Sequence, residues 1–346
     1  MNRFFKSFLE NSKNENAEVR EGDGTLLKGC LAMYQAANKM FYKDYILEYT
    51  DKLIDHTGKI KGYENGNFTL EHMNLGSTLI WVYTQTKEEK FKLAIDTLRQ
   101  RVHEFKMEWK EDIQDGYGEG NMEQLYSIQP FYMEYGTKYE NKECYQDIIT
   151  QFENARKYLF NSNQLLIQCK NDEAKLKNIA LHDEDSSVCE TITEYLMALI
   201  DTMDVTSIEI FEHYKLLEDY FKETIRILLK YLCEKNNNGA RNVLEKEASV
   251  KTAGAKLVYA KFAYVIMKAC QMKVLLSEKY YCVAEDLLEN LADVFHQQQK
   301  INQGSKRLDE LWENRRMAGI LMMTYSQYML GSKTKKIKEL GCCYEQ

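Results

Sequence analysis

Proline is nearly missing from this chain: its 346 residues hold a single one, Pro130. Proline breaks a helix interior by removing a backbone donor and crowding the preceding turn, so its near absence suits a mostly helical chain. Alternating Val/Ile/Thr runs between turn signals are missing too, which argues against sandwiches and barrels of strands. No apolar run approaches the roughly 18 residues of a membrane-crossing helix. The opening MNRFFKSFLENSK has no sustained apolar stretch of the kind a secretory leader carries. Basic charge is in short supply, with 46 Lys and Arg against 53 Asp and Glu and a net charge of −7. That sign is wrong for a surface that neutralises phosphates, so neither nucleic acid nor membrane is an expected partner. The nine cysteines are scattered and none forms a CxxC, which speaks against both a zinc site and a disulfide framework. The reading is therefore no metal, no cofactor and a reducing, cytoplasmic location.

What is present points to helices. Apolar residues recur at i, i+3, i+4 and i+7 in segments near 3–10, 24–38, 42–56, 70–86, 88–108, 122–136, 142–160, 187–203, 207–234, 253–272, 278–298 and 311–330. Glycine- and asparagine-rich breaks separate them, such as Gly62-Tyr-Glu-Asn-Gly-Asn and Asn236-Asn-Asn-Gly. The segments alternate in character. LLKGCLAMY, MNLGSTLIWVY, IQPFYMEYG, YLMALID, AKFAYVIMKA and MAGILMMTYSQYM are apolar on most sides, whereas their neighbours carry one charged face. A helix that is apolar all round is buried and a striped one covers a surface. Six such pairs describe an all-α (α/α)6 barrel of inner and outer helices. An irregular helical bundle is the plainer alternative. No composition shift divides the chain, so residues 1–346 read as one domain with 331–346 as a tail.

Two helix starts carry polar groups that could do chemistry. In Thr69-Leu-Glu-His-Met-Asn-Leu-Gly-Ser77, Glu71, His72 and Asn74 sit at the mouth of an apolar helix. Capping by Thr69 and a favourable dipole contact from Glu71 explain the same residues without catalysis, and composition alone favours that explanation. In Asn121-Met-Glu-Gln-Leu-Tyr-Ser-Ile-Gln-Pro130, Glu123 lies in a first turn, with Gln124, Tyr126 and Gln129 close by. Pro130 should lie near the first turns of that helix, where a missing donor is tolerated. In a barrel, Glu71 and Glu123 would occupy equivalent ends of adjacent inner helices, and paired carboxylates serve acid/base work on sugars. Two helix-start glutamates that never meet is an equally good reading of the residues themselves. The segment Asp112–Glu123 has acids at the first and twelfth positions of a calcium loop, but Tyr117 replaces the required glycine.

The stretches Gly24-Thr-Leu-Leu-Lys-Gly29, Leu70-Glu-His-Met-Asn-Leu-Gly76 and Leu125-Tyr-Ser-Ile-Gln-Pro-Phe-Tyr-Met-Glu-Tyr135 resemble, in order and spacing, the unsaturated uronyl hydrolases of glycoside hydrolase families 88 and 105. The resemblance continues through Tyr195–Asp201, Tyr264–Lys268 and Gly319–Tyr328. It implies an (α/α)6 barrel and removal of a 4,5-unsaturated uronic acid from short pectin-derived oligosaccharides. In that chemistry the enol-ether double bond is protonated and hydrated, and the resulting hemiketal collapses to release the sugar. The family's first aspartate, in L-D-x-I-N-x-G, falls on Glu71, and its second, in W-L-D-G-L-Y-M-x-Q-P-F, falls on Glu123. The resemblance thus makes Glu123 and Glu71 the catalytic pair, with His72, Asn74, Gln124, Tyr126 and Gln129 as substrate-binding groups.

Several family positions differ. Where W-x-R-x-x-G-W is expected the chain reads Val188-Cys-Glu-Thr-Ile-Thr-Glu194, so Glu190 stands in place of an arginine and would repel a substrate carboxylate. Gln168 replaces the histidine of Y-H-G-W-D, and the N-D-x-K-G-x-G pattern has become Asn314-Arg-Arg-Met-Ala-Gly319. Scaffold positions persist while cavity positions change. The alternative to a hydrolase is therefore a decayed or re-purposed relative that binds a carbohydrate or a protein.

Overall fold

The structure, a computed structural model, describes residues 2–11, 18–63, 70–111, 120–161, 186–234, 253–301 and 315–342. Among them are twelve α-helices: α1 (Asn2–Asn11), α2 (Asp23–Ala37), α3 (Met40–Leu53), α4 (Leu75–Thr86), α5 (Glu89–Glu111), α6 (Gly120–Lys138), α7 (Glu143–Asn161), α8 (Ser186–Asp204), α9 (Phe211–Glu234), α10 (Ala253–Gln271), α11 (Ser277–Ile301) and α12 (Arg315–Cys342). The described residues contain no strand, only an isolated antiparallel bridge between Ile54 and Ile60. None of their helices is long and apolar enough to cross a membrane.

The six even-numbered helices form a closed inner ring. Each packs on the next, from α2 to α4, α6, α8, α10 and α12, and α12 returns to α2. The odd helices α3, α5, α7, α9 and α11 each pack on the inner helix that precedes them. This is an (α/α)6 barrel, and the inner helices are the ones whose sequences are apolar on most sides. They bury Leu26, Leu79, Phe131, Leu196, Val265 and Leu321, one from each inner helix, in a single hydrophobic core, the desolvation that holds such a ring together.

Ring closure needs close backbone approach. A Cβ on Gly29 of α2 would sit 2.6 Å from the Gly319 carbonyl oxygen, and one on Gly319 would sit 2.3 Å from that of Thr25. Glycine lets α2 and α12 touch backbone to backbone, and no larger residue fits there. The hairpins turn tightly at the other end of the inner helices, where Asn38, Lys87, Glu140 and Lys273 take left-handed conformations. The long connections, 54–74, 112–119, 162–185, 235–252 and 302–314, all lead to the N-terminal ends of inner helices. That end is the mouth.

Three boundaries differ from expectation. The segment from Leu70 begins as a 3-10 turn, Leu70–Asn74, and becomes α-helical only at Leu75. Pro130 lies in the middle of α6 and not in its first turns. The helix continues past it to Lys138, with the Tyr126 carbonyl losing the donor that a residue with an N–H would supply. The last helix runs past Leu330 to Cys342, so the stretch from 331 that reads as a tail is largely helix. Nothing in Ser-Lys-Thr-Lys-Lys-Ile-Lys-Glu-Leu breaks a helix, and Gly331 packs against the Tyr281 ring.

Candidate active site

The mouth and the barrel axis are lined by charges that the inner helices carry inward. The first group closes the ring. Asp23, the first residue of α2, is fully buried and accepts from Arg315 of α12 at 2.7 Å, from the Tyr49 hydroxyl at 2.6 Å and from the Arg20 backbone N–H at 2.8 Å. Burial works against the Arg315 charge, but Asp23 beside it raises the guanidinium pKa overall.

A second group spans four inner helices at the mouth. Arg316 of α12 lies 2.5 Å from Glu123 Oε1 on α6 and donates to Glu194 Oε1 on α8 at 2.8 Å. Lys261 of α10 donates to the same Glu194 oxygen at 2.8 Å and to Glu190 at 3.0 Å. The Glu194 and Lys261 side chains are 4% and 1% exposed, whereas those of Glu123 and Glu190 are 30% and 35% exposed. The inner pair is therefore desolvated and the outer acids reach solvent. Burial pushes the Glu194 carboxyl up, against the pull of Lys261 and Arg316.

The third group fills the axis. Lys28 of α2 reaches the Tyr126 hydroxyl at 3.2 Å, Asp201 at 3.3 Å and the Asn74 carbonyl at 3.5 Å, and its ammonium lies 4.4 Å from the centre of the Tyr126 ring. Asp201 also accepts from Tyr264 at 2.6 Å and from Lys268 at 2.8 Å, and Lys268 pairs with Asp204 at 2.9 Å. Burial pulls the Lys28 ammonium pKa down despite Asp201. For Asp201 burial acts upward, but Lys268 and Lys28 together hold its carboxyl below the usual range.

The residues anticipated from sequence fall into two sets. Asn74 and Tyr126 meet at Lys28, and Asn74 also donates to Ser127 at 3.0 Å. Both are buried, as is Gln129, whose Oε1 has no hydrogen-bond partner among the described residues. His72 is buried as well, and desolvation pulls its imidazole pKa down against Asp23 and Glu21. Glu123 and Gln124 lie half-buried at the mouth, with Glu123 engaged by Arg316. The backbone of Glu71 belongs to the 3-10 turn, but its side chain lies outside what is described, as do Gln168 and the loop 112–119. Glu190 meets Lys261, so its charge is matched within the protein. Sequence reasoning passed over Lys28, Glu194, Asp201, Lys261, Lys268 and Arg316. The signal was available for Lys28, Asp201, Lys261 and Lys268, which are charges within stretches that are apolar on most sides.

The model of Glycosyl Hydrolase Family 88 matches residues 1–309. The chain belongs to glycosyl hydrolase family 88. A solved structure described as a glycoside hydrolase from family 105 of C. acetobutylicum ATCC 824 aligns with a TM-score of 0.60 at 16% identity, over 93% of this chain and 99% of that one. At that identity the likeness speaks for the shared (α/α)6 fold. For a family 88 glycosyl hydrolase the implied substrate is a carbohydrate, and the barrel mouth at the inner-helix N-termini is the place where this chain exposes a carboxylate, Glu123, beside buried charge.

Proposed function

We propose that the protein is an unsaturated uronyl hydrolase acting on short pectin-derived oligosaccharides, with Glu123 as the acid/base group and Glu71 as its partner. One carboxyl delivers a proton to the enol-ether double bond, water adds to the resulting cation, and the hemiketal opens to release the sugar. His72, Asn74, Gln124, Tyr126 and Gln129 are the proposed substrate-binding groups. The observation that supports this reading is the position of Glu123. It is a half-exposed carboxylate in the first turn of an inner helix, at the mouth of a family 88 barrel, beside a second carboxyl that burial makes easier to protonate. The test is direct: unsaturated digalacturonate absorbs in the ultraviolet through its 4,5-double bond, and turnover removes that absorbance.

A second reading, a barrel that binds sugar without turning it over, is favoured by a different observation. Glu123 is engaged by Arg316, and Asp23, Glu194 and Asp201 are each paired with a protein cation. In that case the absorbance persists although the oligosaccharide binds.

A further inference from the structure

The three most exposed large apolar side chains of the described residues lie on two neighbouring turns at the end of the barrel opposite the mouth. Ile208 and Phe211, on the turn from α8 to α9, are 93% and 63% exposed, and Leu276, on the turn from α10 to α11, is 68% exposed. Apolar side chains gathered at the surface in this way mark an interaction site. The α8–α9 turn is also acidic. Between Met203 and Tyr214 it carries Asp204, Glu209 and Glu212 and no lysine or arginine. Lys268 engages Asp204 from below, Glu209 and Glu212 are exposed, and the next cation on α9, Lys215, is held by Glu218.

The same end of the barrel sends out a helix of the opposite charge. The side chain of Gln271, the last residue of α10, donates to the Gln327 carbonyl at 2.7 Å, which marks where the inner ring ends on α12. Gly331 still packs against Tyr281, but the helix continues from Ser332 to Cys342, roughly 16 Å further. That segment holds four lysines against one glutamate, and Ile337 and Leu340 have the spacing of one helix face. Short helical segments owe their stability to packing more than to propensity, so this one calls for a surface. No proline or glycine between Ser332 and Leu340 kinks it back towards its own barrel, so the surface that it meets belongs to another molecule.

We propose that two copies of this chain form a symmetric dimer in which the basic end of α12 in each copy docks on the apolar, acidic α8–α9 turn of the other. In the ring α10 lies between α8 and α12. A two-fold axis at the α10–α11 turn therefore sets both α12 ends against both α8–α9 turns at once, which closes the assembly at two copies. The unlike charges of the segment and the turn fix this pairing, because turn against turn would oppose acid to acid. Both mouths lie at the far ends of such a dimer, so the inference is independent of the uronate reading. The docking segment also lies beyond residues 1–309, which match the family model.

Sedimentation of the full chain over about 1–100 µM, a range that brackets a micromolar interface, tests this. The wild type should form a species of twice the 40.8 kDa chain mass, and added salt should weaken it by screening the exposed charges. Two charge-reversed chains give the decisive comparison: one carries Glu209→Lys with Glu212→Lys, the other Lys335→Glu with Lys336→Glu. Each chain alone opposes like charges at both contacts and should dimerise at least about tenfold more weakly. Mixed in equal amounts, the two chains face each other with unlike charges at both contacts and should pair at about wild-type strength. Phe211→Ser, which removes apolar area and leaves the charge alone, should also weaken the dimer at least about tenfold, and it serves as the measuring variant if a reversed chain does not fold. A wild type that stays monomeric throughout, a dimer unmoved by the reversals or by Phe211→Ser, or folded reversed chains that fail to pair on mixing overturns the proposal.

Discussion

Asp201→Asn removes one charge from the barrel axis and almost no volume. Asparagine can still accept from Tyr264 and Lys268, which now donate at 2.6 and 2.8 Å. Lys268 keeps a second acid in Asp204, 2.9 Å away, so the loss falls on Lys28. The other groups to which Lys28 donates, Asn74 at 3.5 Å and Tyr126 at 3.2 Å, are neutral, and Glu134 adds only a weaker attraction than Asp201. Breaking a buried ion pair from one side destabilises a protein by about 3–5 kcal/mol, because the partner charge stays behind. The Tyr126 ring, 4.4 Å from the ammonium, softens this by cation–π attraction, so the low end, about 3 kcal/mol, is expected. At about 2 °C per kcal/mol for a large domain, the thermal midpoint should fall by roughly 6 °C. Lys28→Met leaves Asp201 with Lys268 and Tyr264 and should be milder. The double variant should be more stable than Asp201→Asn alone, since the stranded cation is gone. The pH dependence has a defined sign. The Asp201 carboxyl is held below its ordinary range, so its contribution is complete above the unfolded carboxylate pKa of about 3.9 and fades as pH falls through the folded value. Wild type and Asp201→Asn should differ fully at pH 7 and converge in acid below about pH 4. Urea unfolding followed by far-ultraviolet circular dichroism reads all of this. An Asp201→Asn midpoint within about 0.5 kcal/mol of wild type at pH 7, or a double variant weaker than the single, would refute the reasoning.

Gly319→Ala places a methyl carbon 2.3 Å from the Thr25 carbonyl oxygen, so α2 and α12 must separate. Overpacking of this kind costs about 1–3 kcal/mol, and a wild-type urea midpoint would show that the helix contact is looser than described. Glu123→Gln keeps an acceptor for Arg316 and should leave the thermal midpoint nearly unchanged. Turnover of unsaturated digalacturonate should fall by about 10²- to 10⁴-fold, the range for general acid/base catalysis, and undiminished turnover in an active preparation removes Glu123 from the mechanism. Glu123→Asp, which installs the residue that the family resemblance implies at this position, should be worse than glutamate if the mouth is shaped for the longer side chain, because a displacement of about 1 Å can cost a hundredfold.

Much of the scaffold is legible in the chain. LLKGCLAMY, YLMALID and AKFAYVIMKA are apolar on most sides and are found in the inner ring, whereas striped segments such as 142–160 lie outside it. The candidate site was legible only in part. Glu123, with Gln124, Tyr126 and Gln129 beside it, was visible as a polar helix start, and Asn74 likewise. The charges that engage these groups were not recognised, although Lys28, Asp201 and Lys261 each interrupt an apolar run and so announce a buried charge in need of a partner.

A helix is specified by neighbours three and four residues away, through backbone hydrogen bonds and the face its apolar side chains share. That is why the sequence by itself determined the twelve helices of the described residues, their alternation and the burial of every second one. Ion pairs across the barrel have no such local signature. Asp23 and Arg315 are 292 positions apart, Lys28 and Asp201 are 173 apart, and Glu194 and Arg316 are 122 apart. Which cation meets which acid depends on ring closure, on the rotation of each inner helix about its axis and on the depth each side chain reaches. Only the tertiary structure decided that Glu123 would face Arg316, because that contact exists only once the first turns of α6 and α12 have met beside Glu194 of α8 and Lys261 of α10.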